Sequence, residues 1–275
     1  MNRSFVTVAF RVHRDYLQSE RLCDLERLLR LSLQLGYKTM TLSAFAESVA
    51  GAGTQTPDRT LLLRHDVDSD LPQARRMWDI ERELGVIGSY FFRRSTWDVP
   101  FIRELSAAGY EVGYHYEELA TVIKEHGVVS AEGARGLIGV ARARMRASVA
   151  ELRAESGLPL DVFAAHGDFA NRAVGVSSVE MLADPAFRAV IGARLEAYDV
   201  EAHVAARASD GARPEEYWWP LDPGEALRRG ERVVEVLLHP RAWGAAPVEN
   251  ARADLRRLGE RCRYRLRRTR RRGWR

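Results

Sequence analysis

Residues 61–70 read Leu-Leu-Leu-Arg-His-Asp-Val-Asp-Ser-Asp, an apolar run that ends in charged and metal-binding side chains. The run predicts a short buried strand, and the polar residues follow where that strand leaves its sheet. Side chains alternate between the faces of a strand, so Asp66 and Asp68 share one face while His65 points to the other. Two carboxylates on one face at a strand end predict a site that holds a cation and a general base.

Strand and helix patterns alternate outward from this stretch. Helical spacing predicts a helix over 15–35, and residues 130–156 predict one long helix or two. Short apolar runs predict strands at 161–165, 195–200 and 232–238. This alternation favours a parallel sheet with crossover helices. The length of 275 residues allows one large α/β domain or two small ones. The sequence contains no internal repeat and no clear linker, which favours one domain.

The net charge of +4 is distributed unevenly along the chain. Residues 261–275 hold nine arginines and no acidic residue, so the remainder carries a net charge of −5. This tail predicts contact with an anionic partner, such as an acidic polysaccharide, a nucleotide-sugar or a membrane surface, unless it is only a solvated helix end. Only Tyr264 and Trp274 interleave with the arginines, so no specific nucleic acid is expected.

Cysteine usage and hydropathy bear on the cellular compartment. Cys23 and Cys262 lie far apart without metal-ligand spacing, which predicts two free thiols in a reducing environment. The N-terminal residues lack the apolar core of a signal peptide, and no apolar run of about 18 residues predicts a membrane span. The expected location is therefore cytoplasmic.

Three histidines each end a separate predicted strand: His115, His166 and His239. The carboxyl ends of parallel strands open on one face of a fold, so these rings are expected near Asp66 and Asp68. Imidazole and carboxylate ligands without thiolate suit zinc or another divalent first-row ion. With a carboxylate as base and a histidine as acid, such a set describes metal-assisted hydrolysis of an amide or ester.

Further motifs accompany the Arg-His-Asp-Val-Asp stretch at 64–68. They are LGVIGSYFF (84–92), GYEVGYH (109–115), Ser-Asp-Gly (209–211) and LLHP (237–240). Together these motifs resemble the polysaccharide deacetylases of carbohydrate esterase family four, in a divergent branch that carries R-H-D-V-D. The resemblance covers roughly residues 58–245. It implies an α/β fold, an irregular (β/α) barrel of about seven parallel strands.

The resemblance also implies roles for individual residues. Asp66 would be the catalytic base toward a metal-bound water, and His239 the general acid or oxyanion stabiliser. Asp68 and His115 would bind a divalent metal ion, expected to be Zn²⁺, with His166 as third ligand and Glu117 as the alternative. The reaction would remove an acetyl or other acyl group from an N-acetylated sugar or saccharide.

The resemblance implies three segments. Residues 1–57 would form an N-terminal helical extension packed on the barrel, 58–250 the deacetylase-like catalytic domain, and 251–275 a C-terminal helix with the arginine-rich tail. Substrate binding is assigned to Asp168, Asp210 and Trp219. Asp168 has the alternative role of fixing a turn, and Asp210 that of a solvated loop residue.

Two other functions fit the same sequence. One is a hydrolase of a non-sugar amide, such as a cyclic imide or ureide. The other is a metal-free relative that serves as a binding module and is anchored through its basic tail. Leu119 supports the second, because the family has a metal-binding histidine four residues after the first, and here that position is leucine.

Overall fold

The computed structural model describes residues 12–51, 57–210 and 217–272, with the backbone alone for 270–272. The strands in these ranges are β1 (Lys38–Met40), β2 (Thr60–Val67), β3 (Ser89–Phe92), β4 (Glu111–Tyr116), β5 (Val162–Ala165), β6 (Leu195–Glu196), β7 (Ala206–Asp210), β8 (Trp218–Trp219) and β9 (Val233–Leu238). The helices are α1 (Leu22–Gln34), α2 (Leu42–Gly51), α3 (Leu71–Leu84), α4 (Val99–Ala107), α5 (Glu118–His126), α6 (Ala131–Arg135), α7 (Ile138–Ser156), α8 (Phe169–Val174), α9 (Pro185–Ile191), α10 (Pro223–Arg229) and α11 (Pro247–Arg272).

The chain divides into two compact units. The first comprises Met1–Val112 and Tyr198–Asn250, and the second comprises Gly113–Ala197 and Ala251–Arg275. In the first unit β2 pairs in parallel with β1, β3 and β9, and β9 pairs in parallel with β7, which is antiparallel to β8. In the second unit β5 pairs in parallel with β4 and β6. The predicted α/β class, with parallel strands and crossover helices as in an irregular (β/α) barrel, is confirmed.

Strand β2 is central to the first unit, because it pairs with three other strands and both of its faces are covered. All eight of its residues are buried. Leu61 and Leu63 pack in a core cluster with Leu25 and Leu29 of α1. Because side chains alternate along a strand, Arg64 and Asp66 lie on the other face, and Asp68 follows just after the strand ends. The sequence stretch of 61–70 therefore joins the core to the polar strand end.

Helix α3 begins and ends at residues suited to these positions. The Asp70 side chain accepts a hydrogen bond from the Gln73 backbone N–H at 3.3 Å and caps the helix. Asp70 adopts φ +60°, a left-handed conformation that aspartate tolerates better than most residues. Gly85 ends the helix at φ +67°. The turn after β2 is thus fixed by Asp70, which leaves Asp66 and Asp68 for the strand end.

Two helical predictions differ from the structure in detail. The helix predicted over 15–35 is divided into a π-helical turn, His13–Leu17, and α1, because the polar residues Ser19 and Glu20 interrupt the apolar spacing. Residues 130–156 form two helices, α6 and α7, one of the two predicted arrangements.

The strand predictions also need two corrections. The strand predicted over 195–200 ends after two residues, and a 3-10 helix, Ala197–His203, follows it. Strands β1 and β7 were not predicted, since both are short and lack an alternating apolar pattern. Of these two strands, β7 is the more important for the candidate site, because it ends at Asp210. The predicted segment boundaries after residues 57 and 250 remain predictions.

Within 12–51, 57–210 and 217–272, no helix combines the length and apolar character needed to cross a bilayer.

Candidate active site

Asp66 is held in one orientation by an arginine of its own strand. The Nε and Nη2 atoms of Arg64 donate hydrogen bonds to the two carboxylate oxygens of Asp66, both at 2.9 Å. Residues two apart on a strand share a face, so β2 itself creates this bidentate pair. Arg64 is fully buried, and burial acts to lower its pKa, but the charge and hydrogen bonds of Asp66, together with the charges of Tyr198 and Glu235, outweigh burial and raise that pKa. The guanidinium therefore stays charged beside the carboxylate.

A second buried ion pair lies on the same face as Arg64. Glu235 of β9 is fully buried, and the Nε atom of Arg207 lies 3.2 Å from its Oε2 atom. Burial raises the pKa of Glu235, and the charges of Arg207 and Arg64 oppose that rise. The Cζ atoms of both arginines lie over the Tyr198 ring, at 4.7 Å for Arg64 and 5.0 Å for Arg207. The Tyr198 ring thus packs against Arg64, and the negative charge of Glu235 also stabilises Arg64, while Arg64 binds Asp66.

His239 is positioned by the carboxylate of Asp210. The Asp210 Oδ1 atom lies 2.7 Å from His239 Nδ1, and Asp210 Oδ2 accepts from the His239 backbone N–H at 2.7 Å. The indole N–H of Trp243 also donates to Asp210 Oδ2 at 2.7 Å. Asp210 is buried at the end of β7, whereas about a third of the His239 side chain, 32%, is exposed. The pair leaves the Nε2 side of the imidazole as its reactive end.

The charges around His239 keep its ring protonated at neutral pH. Burial lowers the pKa of His239, but the charge and hydrogen bond of Asp210, together with the charges of Asp66 and Asp68, raise it to about 9. A protonated imidazole at this position is a proton donor. This property suits a general acid.

Asp66 and His239 follow matching positions on neighbouring strands. In the parallel pairing of β2 with β9, His65 is opposite Leu238, and Asp66 and His239 are the next residues. The same edge of the sheet therefore carries a carboxylate held by an arginine and an imidazolium held by a carboxylate. Asp68 follows two residues after Asp66 and is partly exposed.

In the second unit, His115 has the orientation expected of a metal ligand. Its Nδ1 atom lies 3.0 Å from the carbonyl oxygen of Ala164. A carbonyl only accepts hydrogen bonds, so Nδ1 carries the proton and Nε2 is the lone-pair nitrogen of the neutral ring. Metal-binding histidines commonly donate their other N–H in this way. The ring of His166 lies edge-on to His115, with centroids 5.1 Å apart.

A group of possible metal ligands follows β4 and β5 in the same unit. Glu117, His166 and Asp168 offer ligand atoms that all lie within 4.8 Å of one another. The Nδ1 atom of His166 lies 3.7 Å from Glu117 Oε2. Imidazole with carboxylate is a donor set that suits zinc and related ions. By donor chemistry, the residues of this unit fit a divalent metal.

Asp168 has structural partners for both of its carboxylate oxygens. Oδ1 accepts from the Ala170 backbone N–H at 2.7 Å and caps α8, and Oδ2 accepts from Lys124 Nζ at 3.2 Å. Burial acts to raise the pKa of Asp168, but the charge and hydrogen bond of Lys124 and the hydrogen bond from the Ala170 backbone N–H together outweigh burial and lower that pKa. Asp168 therefore fixes the turn after Gly167, the alternative that the sequence left open, and Glu117 is the better metal-ligand candidate.

The predicted site residues are shared between the two units. Asp66, Asp68, Asp210, Trp219 and His239 belong to the first, whereas His115, His166 and Asp168 belong to the second. The predicted metal triad of Asp68, His115 and His166 draws on both units and stays a prediction, as do the substrate-binding roles. Trp219 lies in β8 with 38% of its surface exposed.

Two interpretations of single residues have clear outcomes in the first unit. The view of Asp210 as a solvated loop residue is wrong, because β7 buries it against Trp243.

His65 lies on the other face of β2, as strand alternation predicts. Its Nε2 atom is 2.7 Å from Glu81 Oε1 of α3, and its ring stacks on Tyr90 at 4.0 Å.

Sequence reasoning missed three residues that support the site: Arg64, Glu235 and Trp243. A signal was available for two of them. Arg64 lies two residues before Asp66, and Glu235 lies four residues before His239, so strand alternation places Arg64 on the face of Asp66 and Glu235 on the face of His239. Trp243 gave no comparable signal, because its contact with Asp210 depends on the turn after β9.

Leu119 cannot bind a metal, because its side chain is a hydrocarbon without a donor atom. It is a fully buried residue of α5. The leucine therefore contributes to the packing of the second unit, and any metal there must take its ligands from other positions.

No protein-family model matches the chain, and no curated protein matches it. Solved structures do match. Wild-type BA3943, a CE4 family pseudoenzyme from Bacillus anthracis, aligns at 14% identity with a TM-score of 0.40, over 72% of this chain and 61% of that chain. A BA3943 mutant, described as a pseudoenzyme with restored enzymatic activity, aligns at 13% identity with a TM-score of 0.40, over 72% and 63%. The chain thus spans about three fifths of the BA3943 proteins.

A further match is the Xyl-CE4 domain of a multidomain xylanase from the hindgut metagenome of Trinervitermes trinervoides. It aligns at 12% identity with a TM-score of 0.33, over 72% of this chain and 84% of that chain. CE4 denotes carbohydrate esterase family four. The solved structures that match the chain therefore carry the family name that its motifs resemble, that of the polysaccharide deacetylases.

Proposed function

We propose that the protein is a metal-dependent hydrolase that removes an acetyl group from an N-acetylated sugar. The observation that carries this proposal is the pair of supported side chains at the ends of β2 and β9. Arg64 holds Asp66, Asp210 holds His239, and the two strands are neighbours in one sheet. Amide hydrolysis needs a proton acceptor and a proton donor at fixed positions, and these two residues supply them.

Asp66 acts as the general base. It takes a proton from the attacking water as the water oxygen bonds to the acyl carbon. The bidentate contact with Arg64 fixes the direction in which the carboxylate presents its lone pairs. Because β2 holds both residues, this direction does not depend on a mobile loop.

His239 acts as the general acid. Its raised pKa of about 9 means that the ring carries a proton at neutral pH. It donates that proton to the sugar nitrogen as the carbon–nitrogen bond breaks, which releases acetate and the free amine. Asp210 fixes the tautomer and stabilises the charged ring before the proton is donated.

Asp68 and His115 would hold the metal, with His166 as the proposed third ligand and Glu117 as the alternative to His166. A divalent ion polarises an acyl carbonyl and lowers the pKa of water, which is chemistry that Asp66 and His239 do not supply. The Nδ1–H of His115 donates to the Ala164 carbonyl, so the ring is already oriented to bind a metal through Nε2.

Metal content and turnover of two variants test this proposal together. Asp66→Asn should keep a stoichiometric metal by elemental analysis and lose acetate release from N-acetylated sugars. His115→Ala should lose both. A fully active Asp66→Asn enzyme, or a His115→Ala protein with unchanged metal and turnover, would contradict the assigned roles.

Leu119 favours one alternative, a metal-free relative that binds a saccharide without cleaving it. The residue is fully buried at the position where the family has a histidine. Purified protein that takes up no divalent metal, yet binds saccharides, would support this alternative. The other alternative is a hydrolase of a non-sugar amide. Turnover measured on a panel of acetylated sugars, cyclic imides and ureides distinguishes it from a sugar deacetylase.

A further inference from the structure

An apolar stripe runs along the outer face of α11. Leu255, Leu258, Cys262 and Leu266 follow one another at intervals of three, four and four residues, which places them on one side of a helix. The exposed fractions of the leucines are 69%, 58% and 64%, and Cys262 is also exposed. Isolated exposed leucines are ordinary, but several on one stripe indicate a surface that meets an apolar partner.

The opposite face of α11 is already packed against the second unit. Tyr264 is buried, and its hydroxyl donates to the Val128 carbonyl at 2.5 Å. Lys124 Nζ donates to Glu260 Oε2 at 2.7 Å, and Arg267 donates to the Lys124 carbonyl at 3.1 Å. These contacts fix the rotation of the helix, so the leucine stripe faces outward.

Arginines border the stripe on both sides. At 100° per residue, Arg256 and Arg263 lie along one border and Arg265 along the other, and all three are exposed. Residues 261–275 contain no acidic residue. Asp254 also lies on the Arg265 border, but along the other border Arg256 and Arg263 would meet the arginines of a second copy, so self-association through this stripe is disfavoured. The charge selects an anionic surface with an apolar interior.

We propose that α11 docks the protein on an anionic lipid bilayer, with the leucines in the acyl boundary and the bordering arginines on the phosphate groups. Helices that lie in a membrane interface combine an apolar stripe with basic flanks in this way. Each basic residue near an anionic bilayer adds about fivefold to binding, since it contributes about 1 kcal/mol. The docking surface contains none of the residues to which the hydrolase proposal gives a role, so it is independent of that proposal.

The two cysteines of the chain give a matched pair of probes. Cys262 lies in the stripe, whereas Cys23 lies in α1, and both are exposed. An environment-sensitive fluorophore on Cys262 of the Cys23→Ser protein should shift to shorter wavelength with vesicles of equal phosphatidylglycerol and phosphatidylcholine. The same fluorophore on Cys23 of the Cys262→Ser protein should not shift, and vesicles of phosphatidylcholine alone should shift neither.

Vesicle sedimentation with unlabelled variants gives a second readout. Arg263→Gln with Arg265→Gln should weaken binding about 30-fold, while the equally charged control Arg27→Gln with Arg30→Gln should not. Leu258→Asp with Leu266→Asp should weaken it by about tenfold or more, whereas the exposed control Val190→Asp should leave it unchanged.

Three results would overturn the proposal: equal binding to neutral and anionic vesicles, equal shifts at both cysteines, or loss of a dimer rather than of vesicle binding in the leucine variant. The last result would instead assign the stripe to a protein partner. Circular dichroism of each variant checks that α11 is still helical.

Discussion

The hydrogen bonds of Asp210 make Asp210→Asn the most informative single substitution. The variant keeps the shape of the side chain but removes the charge that lies 2.7 Å from His239 Nδ1. Burial then acts on His239 with less opposition, so its pKa should fall from about 9 toward the ordinary 6.5. The Trp243 and His239 backbone donors still have an oxygen to bond, so a gross change of fold is not expected.

The magnitude follows from the difference between these pKa values. A pKa of about 9 in place of 6.5 corresponds to about 3 kcal/mol of stabilisation. With about a third of the His239 side chain exposed, solvent screening reduces this to about 1–2 kcal/mol. Because the folded-state pKa is raised, this stabilisation is fully present below pH 6.5 and is lost as the pH rises through about 9.

Urea unfolding at several pH values measures the effect. At pH 7 the variant should be less stable than the wild-type protein by about 1–2 kcal/mol, and the difference should narrow by about pH 10. Histidine side-chain NMR gives the pKa directly. Trp243→Phe is the control, because it removes one donor to Asp210 but leaves the charge beside His239. A stability difference that does not change with pH, or an unchanged pKa of His239, would refute the reasoning.

Three further substitutions have defined outcomes. Arg64→Met leaves Asp66 buried without its bidentate partner and should lower the free energy of unfolding by about 3–5 kcal/mol in urea titration, whereas a loss below about 1 kcal/mol would mean that the pair is dispensable. Glu81→Gln disrupts the contacts with His65 and Tyr90 on the far face of β2, so it should cost about 1–3 kcal/mol while turnover per folded molecule stays the same in steady-state assays. Leu119→Ala removes fully buried apolar surface and should cost about 2–5 kcal/mol without lowering metal content by elemental analysis; a loss of metal at intact fold would contradict its assignment to packing alone.

The strand ends were predictable from sequence because their signals are local. Strand β2 is a continuous apolar run, and Asp66 follows it directly, so its position at the edge of the sheet required no long-range information. His115 and His239 were predictable in the same way. The bidentate partner of Asp66 was also local, since Arg64 lies on the same face two residues earlier.

The partner of His239 could not be predicted, for a physical reason. Asp210 is separated from His239 by 29 residues and ends the strand Ala-Arg-Ala-Ser-Asp, which has no apolar alternation. Its burial comes from pairing with β9, where Ser209 is opposite Leu237. A polar segment that becomes a strand through its neighbours resembles a loop in the sequence, and so the sequence predicts for Asp210 a substrate-binding residue or a solvated loop residue, but not the partner of His239.

Acetate release from N-acetylated sugars tests the central claim most directly. With divalent metal supplied, the wild-type protein should release acetate, and Asp66→Asn should release it at a rate about 10²-fold to 10⁴-fold lower, the range that a general base contributes. The metal content of the two proteins, measured on the same samples, should be equal. Absence of acetate release from metal-loaded wild-type protein across a panel of N-acetylated sugars, or equal rates for both proteins, would contradict the account.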